Sequence, residues 1–398
     1  MEPERVLHLP LLLTMDPTVG SGALGAIHDA AVATGGGKIL WMGPSDQAPT
    51  APNVEHREAV GLPALVDCHT HTVWAGSRAD EFQRRLAGAS YTEILEAGGG
   101  ILSTVRATRE ASEAELTSLA AERMRRARRR GVGTMEVKGG YGLEPATEAR
   151  MLRAARAAGE VAGIRVFTTF LGAHAIPSEH RANRDAYVAD VLGPQLEACA
   201  PHADFVDAYV DRGAFTVEEG RRVLEAGRAR GLGVRIHAEQ VAFTGAAAMA
   251  AELGALSADH LERIDDAGIE AMAEAGTVAV MLPGAMLYLK DIAPPVAKLR
   301  AAGVPMAVAT DLNPGSSPVV DLWTCATLAC VTMGLTVEEA LLGITARGGD
   351  ALGRPDLGRL RVGDPASWIT VDLPPGEPAS AAALVQFLGA GFGAVRWG

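Results

Sequence analysis

Between about residue 62 and residue 310 short apolar runs recur, at 64–68, 132–137, 165–171, 204–210, 233–236, 255–258, 277–282 and 305–310. Ala-, Glu- and Arg-rich segments of helical period separate most of them, as at 147–162, 217–230, 244–253 and 264–275. Strands that are apolar along their whole length are buried on both faces, and helices between them supply the cover. The pattern predicts an α/β protein with a parallel sheet. Eight such units over roughly 250–290 residues suit a TIM (β/α)8 barrel. A doubly wound open sheet is the alternative.

The two ends differ from the middle. Apolar runs at 7–15, 30–34 and 39–42 are separated by Gly, Pro and Asp. The TGGGK at 34–38 reads as a hairpin turn, because a phosphate loop needs Lys-Ser/Thr opening a helix. After about residue 353 the helical pattern fades, and 357–362, 367–371 and 393–397 read as strands and turns. The expectation is a composite β domain from residues 1–61 and 353–398, beside a catalytic barrel of residues 62–352.

Charge limits the partners. There are 36 Lys+Arg against 48 Asp+Glu, a net −12, so a broad phosphate-binding face is not expected. The basic run ERMRRARRR at 122–130 reads as the solvated face of a helix entering the second barrel strand. No stretch approaches the ~20 apolar residues of a membrane span, and the N-terminus lacks a signal-peptide layout. Cys68, Cys199, Cys325 and Cys330 have no CxxC spacing. Reduced thiols in a cytoplasmic protein are expected.

The histidines point to the chemistry. His69, His71, His174, His237 and His260 sit at or just past the ends of apolar runs. In a TIM barrel these C-terminal strand ends line the catalytic mouth. Residues i and i+2 of a strand face one side, so His69 and His71 reach the same point. Asp311 follows the eighth run. His69, His71, His237 and Asp311 form a mixed N/O set that suits Zn²⁺ or Fe²⁺ better than Mg²⁺ or Ca²⁺. The fourth run offers Asp207 and Asp211 but no Lys or His, so one metal is expected rather than two. Lys138 could be carbamylated to bridge two metals; a salt bridge near Glu136 is the preferred reading. A metal held this way activates water near neutral pH, which points to hydrolysis at an electrophilic carbon.

This arrangement resembles the amidohydrolase superfamily. The finer motifs resemble its imidazolonepropionase family: LVDCHTHTVWAGSRADEF (65–82), YTEILEAGGGILSTVRATREAS (91–112), EVKGGYGL (136–143), TFLGAHAIP (169–177), HAEQ (237–240), SADHLE (257–262) and ATDLNPGSSP (309–318). The two ends resemble the family's composite β-sandwich more weakly. The resemblance implies hydrolysis of 4-imidazolone-5-propanoate to N-formimidoyl-L-glutamate with one Zn²⁺ or Fe²⁺/Fe³⁺ per chain. It implies a homodimer with a small-molecule substrate, and neither nucleic acid nor membrane as partner.

The resemblance also assigns roles. Arg78 would grip the substrate carboxylate by a bidentate fork. Tyr141 and His174 would line the ring pocket, and Asn313, Gly315 and Ser316 would bind a second polar end. Asp311 would ligate the metal and accept a proton from the water, and His260 would position the nucleophile or polarise the oxyanion. Related deaminases carry Glu three residues after the fifth-strand His. Here that position is Gln240, which cannot shuttle a proton and is read as a hydrogen-bonding partner of the substrate. Another mononuclear amidohydrolase, a purine or pyrimidine deaminase or cyclic amidase, is the runner-up. A non-catalytic relative of the fold is a more distant one.

Overall fold

The computed structural model describes residues 2–88, 99–389 and 393–398. Residues 91–98 of the 91–112 motif therefore lie outside the described residues. Strands β1 (Arg5–Leu13), β2 (Ala26–Gly35), β3 (Lys38–Pro44), β4 (Asn53–His56) and β5 (Ala59–Pro63) come first. Gly36 and Gly37, both at positive φ, turn β2 into β3 as a hairpin.

The barrel strands follow: β6 (Leu65–Asp67), β7 (Val132–Lys138), β8 (Arg165–Ala173), β9 (Phe205–Val210), β10 (Gly233–Ala238), β11 (Ser257–His260), β12 (Val278–Met281) and β13 (Met306–Val308). Each falls on one of the apolar runs. They pair in parallel in the order β13-β12-β11-β10-β9-β8-β7-β6. The ring closes just past the ends of β6 and β13. His71 N donates to Leu312 O at 2.9 Å, Asp311 N to His69 O at 3.0 Å, and Thr310 Oγ1 to Asp67 Oδ2 at 2.7 Å. The open-sheet alternative is set aside by this closure.

Strands β14 (Trp368–Asp372) and β15 (Val395–Trp397) return to the first sheet, whose order is β15-β14-β5-β1-β2-β3 with β4 also on β1. Ile39 N to Asp364 O at 3.0 Å and Gly363 N to Ile39 O at 2.8 Å tie the segment before β14 back to β3. The expected sandwich is thus built as one seven-stranded sheet curling around Leu7, Leu9, Val32, Ile39 and Trp368. The run at 357–362 forms turns rather than a strand.

The outer helices include α1 (Ala79–Leu86), α2 (Ile101–Glu110), α3 (Glu113–Arg129), α4 (Pro145–Ala162), α5 (Val217–Ala229), α6 (Ala246–Glu252) and α7 (Asp266–Ala275). Their starts follow capping chemistry. Ser112 with Glu115 and Thr216 with Glu219 form capping boxes on α3 and α5. Helix α7 begins two residues later than its apolar pattern, because the Asp265 carboxylate accepts from Gly268 N at 2.8 Å.

The basic run is only partly a solvated face. Arg125 and Arg126 of α3 are exposed. Arg123 instead turns inward, its guanidinium 3.3 Å from the Trp74 ring centroid, and donates to Thr72 O and Trp74 O at 2.9 Å each. Arg128 lies over Trp397 at 3.7 Å, and Arg130 pairs with Asp321 at 3.2 Å. Arg123 thus pins the first barrel loop, and Arg128 the terminal sheet, to the barrel.

Candidate metal centre and active site

Three imidazoles converge at the C-terminal end of the barrel. One ring nitrogen each of His69, His71 and His237 lies within 4.8 Å of the others, and all three residues are buried. The tautomers of His69 and His237 follow from their partners. His69 Nδ1 lies 2.6 Å from Asp259 Oδ2, and a carboxylate only accepts, so Nδ1 carries the proton and Nε2 keeps its lone pair. His237 Nδ1 meets Asp207 Oδ1 at 3.1 Å with the same result. Burial opposes ionisation of both acids. Arg235 and Lys138 nonetheless hold Asp259 below the usual carboxylate range, and His237 and Lys138 hold Asp207 far below it.

The free nitrogens face each other. His237 Nε2 lies 3.4 Å from His71 Nε2, and His69 Nε2 is buried without a hydrogen-bond partner. Lone pairs aimed at a common point call for a cation there. Protons are poor candidates for that cation: burial, with Lys138 beside His69 and His174 beside His71, holds both imidazoles well below their usual pKa. The geometry also brings Asp311 to this point, its Oδ1 3.5 Å from both His69 Nε2 and His71 Nε2. Burial, outweighing the nearby His260 and His237, raises the Asp311 carboxyl to about 6. The residues fit a single metal with N and O donors. Lys138 is consumed by ion pairs to Glu136 and Asp207 at 3.1 and 2.8 Å, so it is a salt-bridge residue, not a metal bridge.

Backbone strain gathers at this mouth. Glu239, His260, Leu261 and Asp311 have φ of 58°, 82°, 71° and 50°, in the left-handed region that non-glycine residues avoid at a cost of roughly 1–3 kcal/mol each. The purpose is visible at His260. Strand alternation would send it opposite to Asp259, yet its ring lies 5.5 Å from that of His237 and 6.0 Å from that of His69. Burial depresses its pKa, but the Glu262 carboxylate, 3.8 Å from Nδ1, together with Asp311 raises it overall. Glu239 turns away and accepts from Gly245 N at 2.9 Å, so it caps the approach to α6 and does not substitute for Gln240.

Of the other expected residues, His174 and Tyr141 stand directly beside the histidines. His174 stacks on His71 with centroids 5.1 Å apart, and its Nδ1–H donates to Gly140 O at 2.8 Å. Its Nε2 is therefore an acceptor, and burial lowers its pKa to about 4, keeping it neutral. Tyr141 lies 5.9 Å from His71 and 5.5 Å from His174, ring to ring. Gln240 Oε1 accepts from Tyr209 Oη at 3.0 Å, which leaves its amide N–H groups as the free end. Asn313 is bonded within its own turn: Oδ1 accepts from Gly315 N at 2.9 Å and Ser316 N at 2.7 Å. A β-carbon on Gly315 would lie 3.1 Å from Arg78 Nη1, so the bare glycine is what lets the guanidinium approach.

Arg78 departs from expectation in one respect. Its Nε and Nη2 already bind Glu81 at 2.6 and 2.5 Å, so that edge of the fork is taken. Nη1, 3.5 Å from Thr104 Oγ1, is the weakly held end. The sequence reading missed Asp259 and Tyr209. For Asp259 the available signal was an acid one residue before a strand-end histidine; for Tyr209 it was an aromatic on the strand preceding HAEQ.

The amidohydrolase family profile matches residues 60–392. Imidazolonepropionase of Shewanella putrefaciens is 46% identical over 371 residues, covering 91% of each chain. That of Cupriavidus pinatubonensis is 49% identical over 352 residues, covering 86% of this chain and 83% of its own. That of Cereibacter sphaeroides is 49% identical over 356 residues, covering 87% and 90%. Among solved structures, an adenosine deaminase from Xanthomonas campestris with bound zinc superposes with a TM-score of 0.73 at 19% identity, covering 98% of this chain and 90% of its own. A triazine hydrolase variant gives 0.74 at 17%, covering 97% and 91%. The structural matches establish the shared fold. With the family profile and the close relatives spanning nearly the whole length, the chain belongs to the imidazolonepropionase family of the amidohydrolases.

Proposed function

We propose that the chain hydrolyses the ring C–N bond of 4-imidazolone-5-propanoate to give N-formimidoyl-L-glutamate. The observation that carries this reading is a buried three-histidine set, with one ring nitrogen each of His69, His71 and His237 within 4.8 Å of the others; the half-buried Arg78, lodged against Gly315, is the cation offered to the substrate carboxylate. One Zn²⁺ or Fe²⁺/Fe³⁺, held by His69, His71, His237 and Asp311, would supply Lewis acidity and an activated water.

The chain's own groups do the rest. Arg78 holds the propanoate through Nη1. Tyr141 and neutral His174 flank the ring, with His174 Nε2 accepting from a ring N–H. The amide of Gln240, fixed by Tyr209, donates to the ring. Asp311 takes the proton from the attacking water, and His260 stabilises the charge developing on the carbonyl oxygen. The C–N bond breaks, the carbonyl carbon becomes a carboxylate, and Asp311 returns its proton to the leaving nitrogen.

Residues 62–352 form the catalytic unit in this reading, and residues 1–61 with 353–398 its companion. Strands from both chain ends in one sheet support that division. A cytoplasmic location fits the four free cysteines, and the homodimer rests on the family resemblance; among the described residues no helix is long and apolar enough to cross a membrane. The test uses one purified sample: metal per chain, then decay of imidazolone absorbance with and without chelator. About one metal per chain, chelator-sensitive decay and formimidoylglutamate without ammonia are expected. One metal per chain with no turnover overturns the substrate.

A further inference from the structure

Beneath the histidines lies a fully buried set of charges that the reaction does not use. Three carboxylates each aim one part of the histidine set. Asp259 fixes His69, at 2.6 Å, and Asp207 fixes His237, at 3.1 Å. Glu136 fixes the link between the paired histidines: its Oε2 accepts from Thr70 N at 3.3 Å, and its backbone carbonyl accepts from Thr70 Oγ1 at 2.7 Å. These acids come from β11, β9 and β7, so nothing along the chain coordinates them. One cation does. Lys138 Nζ lies 2.8 Å from Asp207 Oδ2, 3.1 Å from Glu136 Oε1 and 3.7 Å from Asp259 Oδ2, with all four side chains fully buried. Its backbone N–H also donates to Thr70 O at 2.9 Å.

We infer that Lys138 is a positioning residue for metal binding, acting as the one ammonium shared by the three carboxylates that aim His69, Thr70 and His237. Arg235 does not duplicate this role: it pairs with Asp259 alone, at 3.3 Å, and otherwise donates to Cys68 O and Ala351 O. Without Lys138, Asp207 and Glu136 face each other in a dry interior with no cation between them. They must then separate or take up protons, and either response turns His237 and the 69–71 segment away from their common point.

The inference rests on the metal reading but not on the identity of the substrate, and its test uses metal alone. Zn²⁺ affinity is measured on refilled wild type and Lys138→Met by competition with a chromophoric chelator, alongside the visible spectrum of the Co²⁺-loaded forms. A 10- to 100-fold weaker affinity, the range for loss of a partner behind a ligand, and an altered Co²⁺ spectrum are expected. Glu136→Gln/Lys138→Met, which removes one charge of each sign, should recover part of the affinity. A merely structural lysine would lower the melting temperature of metal-free and loaded protein alike; unchanged affinity and spectrum with such a drop overturn the inference. Should Lys138→Met fail to fold, the double variant decides: wild-type affinity and spectrum overturn the inference, and weaker binding with an altered spectrum supports it.

Discussion

Arg78 and Glu81 form a two-pronged ion pair three residues apart at the start of α1, with Nε and Nη2 at 2.6 and 2.5 Å from the two carboxylate oxygens. Glu81 is anchored in turn by Gly100 N at 2.9 Å, just before α2. The guanidinium is thereby clamped along one edge and presents Nη1 beside Gly315. If that end binds the propanoate, Arg78→Met lowers kcat/KM about 10- to 100-fold, the equivalent of one charge-assisted hydrogen bond. Arg78→Lys does not restore it, since an ammonium cannot satisfy Glu81 and a substrate with one fixed fork. Steady-state kinetics on both variants decide the point, and wild-type kcat/KM in Arg78→Met would remove Arg78 from the binding site.

Tyr209 touches Gln240 and faces His237, with ring centroids 5.8 Å apart. Its hydroxyl donates to the amide oxygen, so if Gln240 binds the substrate, Tyr209 decides which end of the amide is offered. Tyr209→Phe should lower kcat/KM about 3- to 10-fold while changing stability by no more than about 1.5 kcal/mol, the worth of one neutral hydrogen bond. Kinetics paired with urea unfolding check this. A large stability loss with unchanged kcat/KM would make Tyr209 a packing residue.

The barrel was legible because burial on both faces leaves continuous apolar runs, and the paired histidines because strand parity is two. What escaped was geometry without a local signature. Asp259 and His260 are neighbours in sequence and should point apart; they share the site only through the left-handed backbone at His260, where no glycine announces it. Glu81 was readable in principle, since i,i+3 spacing at a helix start places it beside Arg78. The run at 122–130 misled in the other direction, because composition does not show which arginine of a helix faces an aromatic ring.

That last distinction is testable in the same helix. Arg123 is lodged between Trp74 and two backbone carbonyls, and burial lowers its pKa to about 10. Arg126, three residues on, makes an exposed pair with Glu122 at 3.2 Å. Arg123→Ala should cost about 2–4 kcal/mol through two orphaned carbonyls and a lost cation–π contact. Arg126→Ala should stay within about 0.5 kcal/mol. Denaturant unfolding of both reads the difference; equal effects would return Arg123 to the solvated face.

If Asp311 is a metal ligand, it sets the pH dependence of metal binding. In the metal-free protein its carboxyl is raised from 3.8 to about 6 by burial. A raised acid favours the protonated fold, so the metal-free protein loses stability as pH climbs from about 4 to 6, and Asp311→Asn gains on wild type across that interval. The full shift corresponds to about 3 kcal/mol at most. Metal binding runs the other way, because the ligand must be ionised. Below about pH 6 a proton has to be displaced from Asp311, and Zn²⁺ affinity should fall by about tenfold per pH unit from this group alone. Above it that contribution is flat. Zn²⁺ titrations at pH 5, 6 and 7 on wild type and Asp311→Asn separate it from His69 and His71, whose pKa values burial holds well below the usual imidazole range. The same pH slope in both proteins would place the titrating group elsewhere.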